Sequence, residues 1–364
     1  LKVATIFGTR PEIIRLSRVI EAIDRVADQV LVHTGQNFDP NLSDVFFSEL
    51  GVRTPDEYWG IRAGSMAAQM AEIIRLSGEF LLRARPDRVL ILGDTNSGLA
   101  AMVAARMRIP VYHMEAGNRC YDDRVPEEIN RRVIDHCSEV LLPYTQRSKE
   151  NLIAEGIDRN RIYVSGNPIH EVIEASREKI AASAVLERFG LTSRGFFLVT
   201  LHRAENVDDP QRLAGLMAGL DLVSETFSQP IVVSLHPRTA DRLKQGGISP
   251  KSPLVRFTDP LGFFDFVRLE AEARCILTDS GTVQEEAALL HTPNVIVRDV
   301  TERAETLEAG AGVLSGGEPH SILRSVGVAL ASPTDWTPPV EYTQANVSAV
   351  VANLVCGYHR AKTR

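Results

Sequence analysis

Three carboxylates follow strand-like apolar runs in the N-terminal half of the chain. LGDTNSG (92–98) carries Asp94, HMEAGNR (113–119) carries Glu115 and VPEEINRR (125–132) carries Glu127. Consecutive strands are usually neighbours, so these acids are expected to converge. Clustered anions repel one another unless cations or function compensate. Arg119, Arg124, Arg131 and Arg132 supply that compensation, and Arg131 is also a candidate substrate contact. Three acids so placed point to general acid–base chemistry. Plainer readings stand beside this one. Asp94 could cap a helix, and Glu127 could serve a helix dipole from the first turn. A hard-oxygen metal site is the rival, but Asp94 has no second Asp in a DxD spacing, and no metal is expected.

A second set of residues suits an anion. In FGTRPE (7–12) a glycine turn leaves a strand and a helix opens near Pro11, with Arg10 as a fixed cation. Taken alone this is an ordinary strand–helix turn, and one glycine matches neither a dinucleotide fingerprint nor a Walker loop. LHRAEN (201–206) and LHPR (235–238) place His202 and His236 at two strand ends, where imidazoles can donate to phosphate or move protons. In LTDSGTVQEE (277–286) the Ser280–Gly281 turn and Thr282 open a helix, a second anion site. Glu285 and Glu286 lie one turn in. They could take the two hydroxyls of a ribose, or simply favour the helix dipole beside an Asp279 or Ser280 cap.

These residues need strands and helices to aim them. Val3–Phe7, QVLVHTG, DRVLILGD, PVYHMEAG, SEVLLPY and RIYVSGNP read as strands, with amphipathic helices between them. Strands alternating with helices predict a parallel, doubly wound sheet. A long helical pattern over Ile169–Phe189 follows, and then the alternation restarts with GFFLVTLH, PIVVSLHP, LVRFTDP, RCILTDSG and PNVIVRD. The pattern predicts two Rossmann-like domains, 1–168 and 169–341, with a helical tail, 342–364, packing back on the first. Ligands of open α/β sheets bind outside the carboxyl ends of the strands, so an interdomain cleft is expected.

Composition narrows the class. The chain has 364 residues, 44% of them hydrophobic, which suits two globular domains. Its net charge of −7 gives no long-range attraction for nucleic acid or an anionic membrane, and neither is expected as a partner. Any positive charge for an anionic ligand must be local. Cys120, Cys137, Cys275 and Cys356 form no CxxC pair and read as reduced thiols of a cytoplasmic protein. No apolar run is long enough to span a membrane. LKVATIFGTR reads as a buried strand rather than a leader, and a start at Leu1 leaves room for residues ahead of it.

Taken in order, FGTRPE, GDTNS, HMEAGNR, PEEINR, the strand-end His-Arg, TDSGxxQEE and RDVTERAE resemble the motif set of the non-hydrolysing UDP-N-acetylglucosamine 2-epimerase family. The resemblance runs over roughly residues 1–310. It implies a glycosyltransferase-B-like fold, a UDP-sugar substrate, a homodimer and no cofactor. Carried over by residue, it implies that Arg10, His202, Ser280 and Gly281 hold the diphosphate. Glu286 would take the ribose hydroxyls and Phe266 would pack near the uracil. Asp94, Glu115 and Glu127 would surround C2 of the sugar, with His202 and His236 by the leaving group or the phosphates. The implied reaction eliminates UDP to give a 2-acetamidoglucal and re-adds it with C2 inverted.

This chain departs from the family pattern at three places. Arg15, a candidate substrate contact, stands where Lys is common, and Thr282 where a second Gly is common. Gln36-Asn37-Phe38 replaces a segment that contacts an activating UDP-sugar in regulated members, so allosteric activation is not expected. GTRPEIIRLS, HTGQNFD, LGDTNSG, HMEAGNRCYDDRVPEEINRR and DSGTVQEE look closer to the branch that forms UDP-N-acetyl-L-fucosamine from a UDP-6-deoxy-L-talosamine derivative, for capsule or O-antigen. A glycosyltransferase on the same fold, a hydrolysing epimerase and a non-enzymatic UDP-sugar sensor are the rivals.

Overall fold

The computed structural model describes residues 1–35 and 40–358. Gln36, Asn37 and Phe38 lie outside the described residues, as do residues 359–364 of the expected C-terminal helix. The described chain forms two compact units. The first is Leu1–Ala175 with the C-terminal segment from Glu341, and the second is Ser176–Val340.

The first unit is built on β1 (Lys2–Phe7), β2 (Asp28–His33), β3 (Glu57–Tyr58), β4 (Arg88–Leu92), β5 (Val111–Met114) and β6 (Val140–Leu142). They lie in the order β3-β2-β1-β4-β5-β6, every pair parallel. Because helices cover both faces, central strands such as KVATIF are apolar almost throughout rather than alternating. Ala4, Ile6, Val89 and Ile91 of the sheet pack with Phe80, Leu81, Ala104 and Ile134 of the covering helices. Full burial of such a side chain stabilises the fold by roughly 1.5–3 kcal/mol. The order reverses between β1 and β4, so the crevice that binds ligands in such sheets opens beyond those two strands.

The second unit repeats the plan with β7 (Phe197–Leu201), β8 (Ile231–Leu235), β9 (Val255–Thr258), β10 (Cys275–Thr278), β11 (Asn294–Ile296) and β12 (Gly312–Leu314). Their order, β12-β11-β10-β7-β8-β9, is again parallel and reverses between β7 and β10. Val199, Leu277 and Val297 pack with Leu216, Leu220 and Ile322 of the helices Pro210–Phe227 and Pro319–Ala331.

Three expectations are corrected. RIYVSGNP, expected as a strand, makes one isolated parallel bridge, Ile162 to Leu141, before the chain turns at Gly166 into Pro168. Its amides are spent on Leu141 and Pro143, and beyond the turn on Glu341. The helical pattern over Ile169–Phe189 is interrupted, giving Ile169–Ala175, Arg177–Ala181 and Val185–Phe189. Its first break falls where one compact unit ends, so Ile169–Ala175 packs on the helix Arg10–Asp24 within the first unit. The expected boundary at 168 thus lies one helix early. The tail packs on that same helix through Val347–Ala352, which continues without a break into the helical turn Asn353–Gly357.

Candidate active site

In the first unit, the turn after β1 is built by Glu12 rather than by an anion. Glu12 Oε2 accepts the Gly8 amide at 2.8 Å, the Thr9 amide at 2.7 Å and the Thr9 hydroxyl at 2.9 Å. Its Oε1 accepts Thr95 Oγ1 at 2.9 Å, from the turn after β4. Burial pushes the carboxyl up to about 7 against the pull of these donors. The amides of Gly8 and Thr9 are therefore already used within the turn. What remains is Arg10. It is half-buried, lies 5.8 Å over the Phe46 ring, and pairs with no carboxylate among the described residues. Burial lowers its pKa. Arg15, on the inward face of the same helix, is only 2% exposed.

Asp94 and Glu115 follow two neighbouring strands, β4 and β5. Gly93 and Glu115 extend the ladder past the strand ends, the Gly93 amide donating to Met114 and the Glu115 amide to Leu142. A side chain on Gly93, whose φ is +76°, would come within 3.8 Å of Glu115 Oε2. Glu115 itself has a φ of +63°, a left-handed conformation that non-glycine residues rarely keep without cause. Asn118 Nδ2 donates to its Oε1 at 3.2 Å. Arg131 donates to Asp94 Oδ2 at 2.9 Å and to Glu128 Oε2 at 2.5 Å, so one guanidinium spans two acids. Asn130 donates to the Asp94 carbonyl at 3.0 Å.

The helix Pro126–Cys137 therefore faces the Asp94 turn through Asn130 and Arg131, and Glu127 lies on that face three and four residues earlier. Glu127 is partly exposed. Its neighbour Glu128, which the sequence reading passed over, is fully buried and accepts the Cys120 amide at 3.0 Å and the Tyr121 amide at 3.2 Å. These amides and Arg131 outweigh burial and lower its pKa. Spacing held the signal, because residues 128, 131 and 135 share one helical face.

In the second unit, Asp279 organises the crevice. It is fully buried and accepts the amides of His202 and Arg203 at 3.0 Å and Asn206 Nδ2 at 3.1 Å. His202 Nδ1 lies 3.1 Å from its Oδ1. Burial alone would raise the Asp279 pKa, but His202 and the N–H donors outweigh it and hold the carboxyl at about 2. With Nδ1 committed, Nε2 is the outward nitrogen of a ring whose side chain is 35% exposed. The His236 ring lies 5.8 Å from the His202 ring, centroid to centroid. Sequence reasoning missed Asp279 as an orienting group because an Asp before Ser-Gly also reads as a cap.

Ser280 precedes the helix Gly281–Leu289, and its hydroxyl bonds that of Thr282 at 2.9 Å. The amides of Gly281, Thr282 and Val283 open this helix and have no carbonyl within it to bond. Gly281 packs beside Glu302 and Arg303 of the RDVTERAE segment. Glu285 is fully buried and bonded to Arg303, so it is a structural ion pair and not a ribose acceptor. Glu286 faces the buried Glu270. Burial and the Glu286 charge hold Glu270 well above the usual carboxylate range. Phe266, on the helix that carries Glu270, is half-buried beside Val283. Among the described residues no group of three or more His, Cys, Asp or Glu is disposed to hold a metal, and no helix is long and apolar enough to cross a membrane.

Two doubly wound parallel units in one chain, each with its polar residues at the switch point of its sheet, define a glycosyltransferase-B-like enzyme. A family profile described as UDP-N-acetylglucosamine 2-epimerase matches residues 21–355, and the chain belongs to that family of isomerases. It is 38% identical over 353 residues to a UDP-N-acetylglucosamine 2-epimerase of Methanocaldococcus jannaschii, covering 93% of this chain and 95% of the relative. It is 37% identical over 334 residues to a UDP-2,3-diacetamido-2,3-dideoxy-D-glucuronate 2-epimerase of Pseudomonas aeruginosa, covering 91% and 92%. The crystal structure of Methanocaldococcus jannaschii UDP-GlcNAc 2-epimerase in complex with UDP-GlcNAc and UDP superposes with a TM-score of 0.93 at 36% identity, over 97% of this chain and 99% of that one.

Proposed function

We propose that the enzyme inverts C2 of a UDP-N-acetylhexosamine by eliminating UDP and adding it back. The observation that supports this most is that Asp94 and Glu115 follow the neighbouring strands β4 and β5, with Arg131 donating to Asp94. The C2 proton is not next to a carbonyl, so it leaves only as the C1–O bond breaks. One carboxylate takes the proton from C2, the C2–H electrons form C1=C2, and the C1–O pair departs with UDP. Return of a proton to the opposite face of C2, with re-addition of UDP at C1, gives the epimer. Two faces need two acid–base groups, and Asp94, Glu115 and Glu127 are the candidates.

In this reading Arg10, His202, His236 and the Ser280–Gly281–Thr282 turn stabilise the charge that grows on the diphosphate. Glu286 receives the ribose hydroxyls and Phe266 lies along the uracil. Arg15, being buried, supports the turn that carries Arg10. The protein works as a cytoplasmic homodimer, a state that light scattering tests.

Motif resemblance makes the UDP-6-deoxy-L-talosamine derivative the first substrate to try. UDP-GlcNAc and UDP-2,3-diacetamido-glucuronate complete the panel, since relatives are named for each. Proton and phosphorus NMR should show a second UDP-sugar growing to equilibrium without net UDP. Stoichiometric release of UDP and free sugar would move the reading to a hydrolysing epimerase, and UDP released only with an acceptor to a glycosyltransferase.

A further inference from the structure

Beneath the two acid-bearing turns of the first unit lies a buried pair, His113 and Asp135, that touches neither Asp94 nor Glu115. His113 Nε2 is 2.8 Å from the Gly93 carbonyl, and Nδ1 is 2.8 Å from Asp135 Oδ1. A carbonyl can only accept, so Nε2 donates to it. Burial would raise the Asp135 pKa, but His113 and Arg119 outweigh it and lower it. The other oxygen, Oδ2, accepts the Gly117 amide at 3.2 Å and pairs with Arg119 Nη2 at 2.8 Å. Arg119 is anchored in turn by two 2.7 Å bonds to Glu155.

One buried pair thus grips both turns, Gly93 on one side and Gly117 on the other. Those turns contain three left-handed residues, Gly93 at +76°, Glu115 at +63° and Gly117 at +80°. A left-handed glutamate persists only where its surroundings over-determine it. We propose that His113 is a positioning residue, which Asp135 orients so that its bond to the Gly93 carbonyl fixes the distance between the Asp94 and Glu115 carboxylates. The inference rests on the reading of those two acids as the proton-transfer groups. Groups held by packed partners keep productive geometry, and a displacement of about 1 Å costs on the order of 100-fold in rate.

The test compares the wild type with His113→Ala and His113→Gln in the intact protein. Gln carries an amide N–H close to the imidazole Nε2 position, whereas Ala carries none. His113→Ala should melt in one transition and bind UDP with a Kd and stoichiometry within about twofold of wild type, with KM within about threefold and kcat down about 100-fold. His113→Gln should recover at least about tenfold of that loss. If His113→Ala does not fold, Asp135→Asn carries the same expectation, because its amide N–H₂ opposes the Gly117 amide. A folded variant with kcat within about threefold of wild type overturns the proposal. So does a kcat loss matched by an equal loss of UDP-binding sites and not relieved by Gln. Should the wild type turn over no UDP-N-acetylhexosamine, the reading of function fails separately. Crystal structures then decide this inference: a wider Asp94–Glu115 separation in His113→Ala supports it and an unchanged one overturns it.

Discussion

Asp94 and Asp279 sit at corresponding places in the two sheets yet are held for different work. Asp94 keeps one firm partner, Arg131, and a partly exposed carboxylate, which fits the proton transfer proposed for it. Asp94→Asn should lower kcat by about 10²–10⁴, with UDP affinity by calorimetry changed only a few-fold. Retained turnover would remove Asp94 from the chemistry. Asp279 is buried, takes four N–H groups and holds His202. Its carboxyl is held at about 2 in the fold, below the 3.8 of a free aspartate. Between those values the unfolded chain binds more protons, so the stability from Asp279 is complete above pH 3.8 and is lost as pH falls through about 2. Denaturant titrations should find Asp279→Asn less stable by roughly 2 kcal/mol at neutral pH, with a shallower acid slope than wild type. The sequence exposed Asp94, Glu115 and the two histidines because each follows an apolar run. It hid Glu12, Glu128 and Asp279 because their partners are backbone amides that only the folded turns assemble.

At the scale of elements, the turn after β1 shows how tightly strand ends are packed around the crevice. A Cβ on Gly8 would lie 2.0 Å from Thr34 Oγ1 and 2.5 Å from Ser97 Oγ, which bond each other at 2.8 Å. Gly8→Ala must part that pair and push the Thr9–Arg10 segment outward. It should cost roughly 1–3 kcal/mol in denaturant unfolding and weaken UDP binding, whereas an unchanged midpoint would show that the strand ends have slack. Most central strands and the helix Pro210–Phe227 were legible because periodicity and length agree there. RIYVSGNP was not, because its apolar alternation is that of a strand but its amides are taken by a loop and the C-terminal segment. The run Ile169–Phe189 was misleading for a related reason: helical spacing continues in sequence across a point where the chain passes from one compact unit to the other.

For the whole molecule, two copies of one sheet order place the residues proposed to hold the phosphates after β7, β8 and β10 and the acids after β4 and β5. Strand–helix alternation made the paired sheets legible, whereas the helical segments at the edges of each unit needed the folded chain. The proposed inversion of C2 by elimination and re-addition of UDP is the central claim. Its most direct measurement is deuterium at C2. The wild type, incubated in D₂O with each member of the substrate panel, should give a UDP-sugar pair in which both epimers carry deuterium at C2 and none elsewhere on the ring. Inversion without deuterium, or deuterium at another carbon, would contradict the elimination and re-addition of UDP across C1 and C2.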